Sequence, residues 1–276
     1  MVSAVFASML APVPGRIAVI GDYGYASNAL AGVASLVNDW RPEYIVTTGD
    51  NNYDDGLALT IDRNIGQYFS DYIGGYKGKY GSGSEKNRFF PVLGNHDWGD
   101  EGNNPRGADP YLDYFTLPGN ERYYDAILGD LHLFVVDSDR NEPDGNSATS
   151  KQARWLQGKM EGSKAKWKVV VFHHPPYSGG ESGSAPHMRW PFVEWGADLV
   201  LSGHDHTYQR IEVEGLTYIV NGLGGARKYA LKKKVPGTQS WFNSDHGAMV
   251  LEDSQGRLNG RFVTTSGVVV DEFSMR

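Results

Sequence analysis

Cysteine is absent from the 276-residue chain. That excludes a disulfide framework, a thiolate zinc site and a cysteine nucleophile, so any metal must be held by His, Asp, Glu, Asn or Tyr. Long apolar runs are absent too, and nothing approaches the roughly 20 uninterrupted apolar residues of a membrane-spanning helix. Basic residues are in deficit: 26 Lys and Arg against 33 Asp and Glu give a formal net charge of −7. That balance argues against a general nucleic-acid or anionic-membrane binder, while leaving room for a local cationic site. No Asn-x-Ser/Thr glycosylation acceptor occurs, and Met1–Ala11 carries no Lys or Arg of the kind that heads an export signal. What is present is a 40% hydrophobic share, enough for a core, and 35 Gly with 13 Pro, which points to many turns.

Five short apolar runs end abruptly in polar residues. Ile17–Ile20 precedes Gly21-Asp22, and Tyr44–Thr48 precedes Gly49-Asp50. Phe89–Leu93 precedes Gly94-Asn95-His96-Asp97, Val169–Phe172 precedes His173-His174, and Leu199–Ser202 precedes Gly203-His204-Asp205-His206. Runs this continuous read as strands buried on both faces. Helices are expected over residues 28–38, with an Asn as cap, over 150–160, and over a short stretch from Met188 to Trp195. Residues 208–213, 216–221, 248–252 and 258–264 read as antiparallel strands. Segments 74–86 and 140–150 read as surface loops. With no repeat and no composition break, the chain reads as a flexible N-terminal segment, 1–15, followed by one domain, 16–276, of two packed sheets with helices outside.

The strand ends carry the chemistry. Ligands bind where the carboxyl ends of parallel strands converge, and these ends supply Asp22, Asp50, Tyr53, Asn95, His96, His173 or His174, His204 and His206. One strand-end Asp is most often a turn-maker or a cap; five such endings together are hard to explain by turn chemistry. His204 and His206, at i and i+2, share a side in an extended backbone, whereas the adjacent His173 and His174 point to opposite sides. Only one of that adjacent pair is then a ligand.

The blocks Gly21-Asp22-Tyr23-Gly24, Gly49-Asp50-Asn51-Asn52-Tyr53, Gly94-Asn95-His96-Asp97, Phe172-His173-His174-Pro175 and Gly203-His204-Asp205-His206 resemble those of the calcineurin-like metallophosphoesterases. Tyr53, three residues after the second Asp, narrows the resemblance to the purple acid phosphatases of the small, tartrate-resistant type. The resemblance implies an α/β fold (α+β in some schemes): a four-layer α/β/β/α sandwich of two mixed sheets with flanking helices and a metal site at the strand C-terminal edge. It implies one metal on Asp22, Asp50, Tyr53 and His206, and another on Asp50, Asn95, His173 and His204, with Asp50 bridging. It thereby selects His173 over His174. Oxygen donors including a phenolate suit Fe(III) at the first position, and imidazoles suit Zn, Mn or Fe(II) at the second. Two carboxylates, a phenolate and a hydroxide set against +5 leave the cluster near +1, a local attraction for phosphate in an acidic protein.

The implied activity is phosphate monoester hydrolysis by in-line attack of a metal-bound hydroxide, with an acidic optimum. His96 is the expected acid beside the phosphate, with Asp97 orienting it. Related bacterial sequences place a His where this chain has Ser182; His187 either substitutes for it or caps the helix expected there. Alternatives are a phosphodiesterase or nucleotide hydrolase on the same fold, and a metal- or phosphate-binding protein whose turnover was weakened by the Ser182 change. The expected partner is a small phosphoester, with no nucleic-acid module and no membrane. The family often works outside the cytoplasm, so a secreted or periplasmic location is the expectation from resemblance alone. Trp98 either walls the pocket or packs. Asn221–Gly225 reads as a Gly-rich turn or a backbone approach to substrate. His132, His246 and Lys232–Lys234 read as structural or solvated.

Overall fold

A computed structural model describes residues 11–99 and 107–276; residues 1–10 of the expected N-terminal segment lie outside the described residues. One sheet has six strands: β1 (Val13–Ile20), β2 (Pro42–Thr47), β3 (Phe89–Phe90), β11 (Gly247–Ser254), β12 (Arg257–Thr264) and β13 (Val269–Met275), in the order β13-β12-β11-β1-β2-β3. The other has seven: β4 (Tyr124–Leu128), β5 (Leu131–Val135), β6 (Trp167–Val171), β7 (Leu199–Ser202), β8 (Tyr208–Val213), β9 (Leu216–Asn221) and β10 (Thr238–Phe242), in the order β10-β8-β9-β7-β6-β5-β4. In the first, β1, β2 and β3 are parallel, and in the second β5, β6, β7 and β9 are. The outer strands run antiparallel. The fold is the expected α/β assembly of two packed mixed sheets with flanking helices.

The continuous apolar runs have a direct physical reason. Side chains alternate faces along a strand, and in the seven-stranded sheet both faces are covered. Leu133, Val135, Val169, Val171, Leu199 and Leu201 belong to the large core shared with the other sheet. Their neighbours Phe134, Val136, Val170, Phe172 and Val200 form a second core with Ala153, Leu156 and Met160 of the helix Lys151–Gly162. Each fully buried aliphatic side chain contributes about 1.5–3 kcal/mol. Such a strand is therefore fixed in register from both sides before it reaches the site.

Helices differ from the expectation in their caps and in one case in existence. The helix Asn28–Trp40 is capped by Ser27, whose hydroxyl accepts from the Leu30 amide at 3.2 Å; Asn28 is already inside it. The second helix is likewise capped by Ser150. The expected helix from Met188 to Trp195 does not form: a single 3-10 turn, Pro186–Met188, is followed by Pro191, which denies the next turn an N–H donor. β3 is cut to two residues by Pro91 for the same reason. β1 begins at Val13, where the Val13 amide donates to the Arg41 carbonyl at 2.9 Å. The weakly apolar strands β10 and β13 carried too few buried residues to be legible beforehand.

Candidate metal centre

All five strand ends meet at one edge. Asp22 follows β1, Asp50 and Tyr53 follow β2, and Asn95 and His96 follow β3; His173 follows β6, and His204 and His206 follow β7. Asp22 (φ 53°), Asp50 (φ 53°) and His204 (φ 66°) are non-glycine residues in the left-handed region. That conformation is sparsely populated by L-residues and turns each chain sharply out of its strand. Gly49, at φ 98°, lies against the His173 ring, where any Cβ would clash. Glycine there is a requirement of both backbone and ring.

The donor atoms gather into two groups around Asp50. In one, Tyr53 Oη lies 3.0 Å from Asp50 Oδ2, 3.4 Å from Asp22 Oδ1 and 3.1 Å from His206 Nε2. His206 Nε2 is 3.3 Å from Asp22 Oδ1. In the other, His173 Nε2 lies 3.3 Å from Asp50 Oδ2, 3.1 Å from Asn95 Oδ1 and 3.2 Å from His204 Nδ1, which is itself 3.1 Å from Asn95 Oδ1. Asp50 Oδ2 thus belongs to both groups.

These spacings fit a cation in each group. Ligands held about 2.0–2.2 Å from one ion stand about 3 Å from each other. His173 Nδ1 faces the Thr48 carbonyl at 2.8 Å and His206 Nδ1 faces the Arg227 carbonyl. A carbonyl only accepts, so both Nδ1 atoms carry a hydrogen and both Nε2 atoms turn to the site, the orientation of metal-ligating histidines. The Tyr53 hydroxyl has one proton for three surrounding acceptors. A cation resolves the rest.

In the metal-free chain, charge pairing across the sheets replaces the cation. Burial lowers the His173 pKa, but the Asp50 carboxylate outweighs it and holds the value up at about 10. Burial raises that of Asp50, and His173 and His96 outweigh it, so the carboxyl stays well below the usual range. His204, desolvated and beside His173, is pushed down to about 4. Burial, then Asp50 and Asp22, raise the Tyr53 phenol.

Around this centre three expectations need correction. Asp97 does not orient His96: its buried carboxylate accepts from the Asn51 amide at 3.1 Å, the Asn51 side chain at 2.8 Å and the Gly94 amide at 2.9 Å, fixing the loops after β2 and β3 against each other. His96 instead holds Nδ1 on the Asp54 carbonyl, with Nε2 3.9 Å from Asp50 Oδ2 and its ring against Tyr53. His174 is not turned away, because the chain leaves extended geometry after Val171. Its ring lies 4.4 Å from that of His204, and a donor atom of each of His173, His174 and His204 falls within 4.8 Å of the others. The shared side of His204 and His206 does not come from an extended backbone either, since the left-handed His204 separates their rings into the two groups.

Ser182 is exposed on its loop, and His187 borders the centre. With the helix absent, His187 caps nothing; its Nε2 donates to the Ser138 carbonyl at 3.2 Å, and the ring lies 6.2 Å from that of His174. Trp98 packs in the core and donates to Asp137 Oδ2 at 3.0 Å. Asn221–Gly225 backs the first loop: Gly224 donates to the Gly21 carbonyl and Ala226 to the Asp22 carbonyl, each at 2.9 Å. Ser138 and Arg140, on the loop after β5, were missed, although the run Leu131–Val136 ending in Asp137-Ser138 has the same signature as the other five. Tyr229 was missed as well: its ring stacks on His206 at 3.9 Å, and no sequence signal marked it.

The calcineurin-like phosphoesterase family model matches residues 15–208. Among curated proteins, purple acid phosphatase 17 of Arabidopsis thaliana is 30% identical over 66% of this chain and 58% of its own length, so the match spans little more than half of that relative. Purple acid phosphatase 7 of the same plant is 25% identical over 93% of this chain and 84% of its own. The purple acid phosphatase PPD1 from yellow lupin seeds superposes with a TM-score of 0.73 at 17% identity, covering 96% of this chain and 55% of that one. GAP50, the anchor in the inner membrane complex of Plasmodium, gives 0.72 at 21% identity, covering 95% and 88%. At these identities the two structures show the fold.

Proposed function

The chain belongs to the calcineurin-like phosphoesterase family, and from that premise we propose that it hydrolyses phosphate monoesters at a pair of metal ions, as a purple acid phosphatase does. The observation that carries this reading is the sharing of Asp50 Oδ2 by two groups of donors, 3.0 Å from Tyr53 Oη on one side and 3.3 Å from His173 Nε2 on the other. Asp22, Asp50, Tyr53 and His206 would hold Fe(III); Asp50, Asn95, His173 and His204 would hold Zn, Mn or Fe(II). When bound, such a pair supplies an activated water and neutralises charge on the attacking and leaving oxygens.

The remaining work falls to the chain's own groups. The carbonyls of Thr48 and Arg227 fix the two ligand rings in the tautomer that presents Nε2. His96, locked by Asp54 and packed on Tyr53, presents its Nε2 toward Asp50 Oδ2 and the substrate phosphate beyond it. Protonated, it donates to a phosphoryl oxygen and stabilises the charge that builds there. His187, on the Ser138 side, keeps Nε2–H on a carbonyl, so its Nδ1 hands a proton to the departing alcohol only when the ring is charged.

Metal analysis with a phosphoester panel across pH tests the proposal. Two metals per chain, turnover of p-nitrophenyl phosphate with an optimum below neutral, and a visible band lost in Tyr53→Phe are expected. Faster turnover of bis(p-nitrophenyl) phosphate than of the monoester overturns the monoester assignment. Two bound metals without hydrolysis of any phosphoester between pH 4 and 9 overturns the enzyme.

A further inference from the structure

The segment from Ala226 to Lys234 leaves the centre as a strap along the surface. Its first residues are pinned there: the Ala226 amide donates to the Asp22 carbonyl at 2.9 Å, the Arg227 carbonyl faces His206 Nδ1, and the Tyr229 amide donates to the His206 carbonyl at 3.0 Å. The strap carries Arg227, Lys228, Lys232, Lys233 and Lys234, all exposed, in a chain whose net charge is −7. We infer that this strap is a docking track for a linear phosphate polymer, and that the centre removes the polymer's terminal phosphate. The inference rests on the two-metal phosphohydrolase reading above and extends it from esters to phosphoanhydrides.

Charge is the first support. The Arg227 guanidinium lies 5.3 Å from the Tyr229 ring centroid, Lys228 Nζ donates to the Ser244 carbonyl at 2.7 Å, and Lys234 Nζ lies 5.2 Å from the Trp241 centroid, all contacts with neutral groups. Two carboxylates stand beside the strap, Glu181 on the Ala230 amide at 3.3 Å and Asp245 near Lys228, so its positive charge is offset only in part. The second support is that the strap's own amides are occupied. Tyr229 donates to His206, Ala230 to Glu181, and Lys232 and Lys233 to the Gly179 carbonyl at 2.8 and 3.0 Å, while Leu231 bridges to Gly180. A peptide added as a further strand needs such amides free. A phosphate chain needs only cations, which the strap presents as ammonium and guanidinium groups. Third, the track is fixed and starts at the centre. Tyr229 stacks on His206 at 3.9 Å, and Asn243 Nδ2 holds the Tyr229 carbonyl at 2.7 Å. Gln209 Oε1 accepts from the Gly179 amide at 2.9 Å. From Tyr229 to Lys234 an extended chain spans at most about 18 Å, a reach that several consecutive phosphates fill and a simple monoester does not.

The reaction balances as a hydrolysis. Water activated at the centre adds its oxygen to the terminal phosphorus, the bridging P–O bond breaks, and that electron pair leaves with the shortened chain. The water's two protons are divided between the two products and solvent. A phosphate leaving group, with a second pKa of about 6, departs as an anion and needs no proton from His187.

The test measures kcat/KM on p-nitrophenyl phosphate, tripolyphosphate, a long-chain polyphosphate and a phosphoserine peptide flanked by glutamates. The wild type is expected to release inorganic phosphate from chain ends and to favour the long chain over tripolyphosphate by about tenfold per end, through KM, and less so as salt is added. Substituting Lys232→Gln, Lys233→Gln and Lys234→Gln together should remove most of that preference, with each value taken relative to p-nitrophenyl phosphate. Lys164→Gln, on the turn before β6 at the opposite end of the strands, should keep it. No release from polyphosphate, equal values for short and long chains, a preference that survives the triple substitution, or a higher value for the acidic phosphopeptide overturns the inference and leaves the phosphatase standing. Hydrolysis of none of the four substrates, with both metals bound, overturns both.

Discussion

The six-stranded sheet brings oxygen to the centre and the seven-stranded sheet brings nitrogen. Asp22, Asp50, Tyr53 and Asn95 all leave β1, β2 and β3, whereas His173, His204 and His206 leave β6 and β7. Neither sheet holds a complete set of the proposed ligands, so both proposed cation positions lie on the seam between them. The Asp50–His173 and Asp22–His206 contacts, each at 3.3 Å, are pairings across that seam. The difference teaches that the site is also a fastener: a metal bound there would tie together, at their edge, two sheets that already share a core, and without it carboxylate–imidazole pairs stand in its place.

The strongest way to break this asymmetry is at the shared oxygen. Asp50→Asn should empty both positions and cost several kcal/mol of transition-state stabilisation, about a thousandfold in kcat, read together with metal content per chain. Next comes a split between the groups. His206→Ala should empty the Tyr53 position and abolish the visible band, whereas His204→Ala should empty the other position and keep it; loss of both metals in either variant would show one indivisible site. His96→Ala should leave metal content at two while lowering kcat about a hundredfold.

Metal removal sharpens the fastener. Chelator-treated protein should melt at lower temperature, by an amount set by the metal concentration over its dissociation constant. The sign with pH follows from His173, whose pKa is raised to about 10 in the metal-free chain. Its pairing with Asp50 contributes fully below its unfolded value of about 6.5 and is lost as pH rises through about 10. Metal must displace that proton, so binding should release acid in a weakly buffered titration at neutral pH, and affinity should increase from pH 6 to 9. Unbuffered metal uptake with no acid released would contradict the pairing.

The smallest effect is expected far from the seam. Asp125 at the β4–β5 hairpin pairs with Lys159 and His132, each at 2.9 Å. Burial raises its pKa, and Lys159 and His132 outweigh it. That stabilisation is present above the usual carboxylate range and lost as pH falls through the lowered value. Being partly exposed, it is worth about 0–1 kcal/mol, so Asp125→Asn should shift the melting temperature slightly and leave metal content untouched.

The legible and illegible parts of the molecule divide along the same lines. Strands packed on both faces write themselves as unbroken apolar runs, and the turns that end them draw on Gly, Asp, Asn and His, so β1, β2, β6 and β7 with their terminal ligands could be read directly. β10 and β13 pack mainly on one face among exposed residues and left no such trace. The direction of side chains past the strand ends was also illegible. Extended spacing misplaced His174 and misread His204 because left-handed residues and the turn after Val171 replace period-two geometry there.

By itself, then, the sequence determined which donor types stand at which strand ends, since burial on both faces and turn chemistry are local demands on local residues. Tertiary structure alone decided the rest: that Asp97 serves Asn51 and not His96, that His187 rather than Ser182 borders the centre, and that Ser138 gathers His174, His187 and Asn146 beside it. Those outcomes depend on hydrogen bonds between segments brought together by the packing of two sheets, and no spacing along the chain encodes the distance between them.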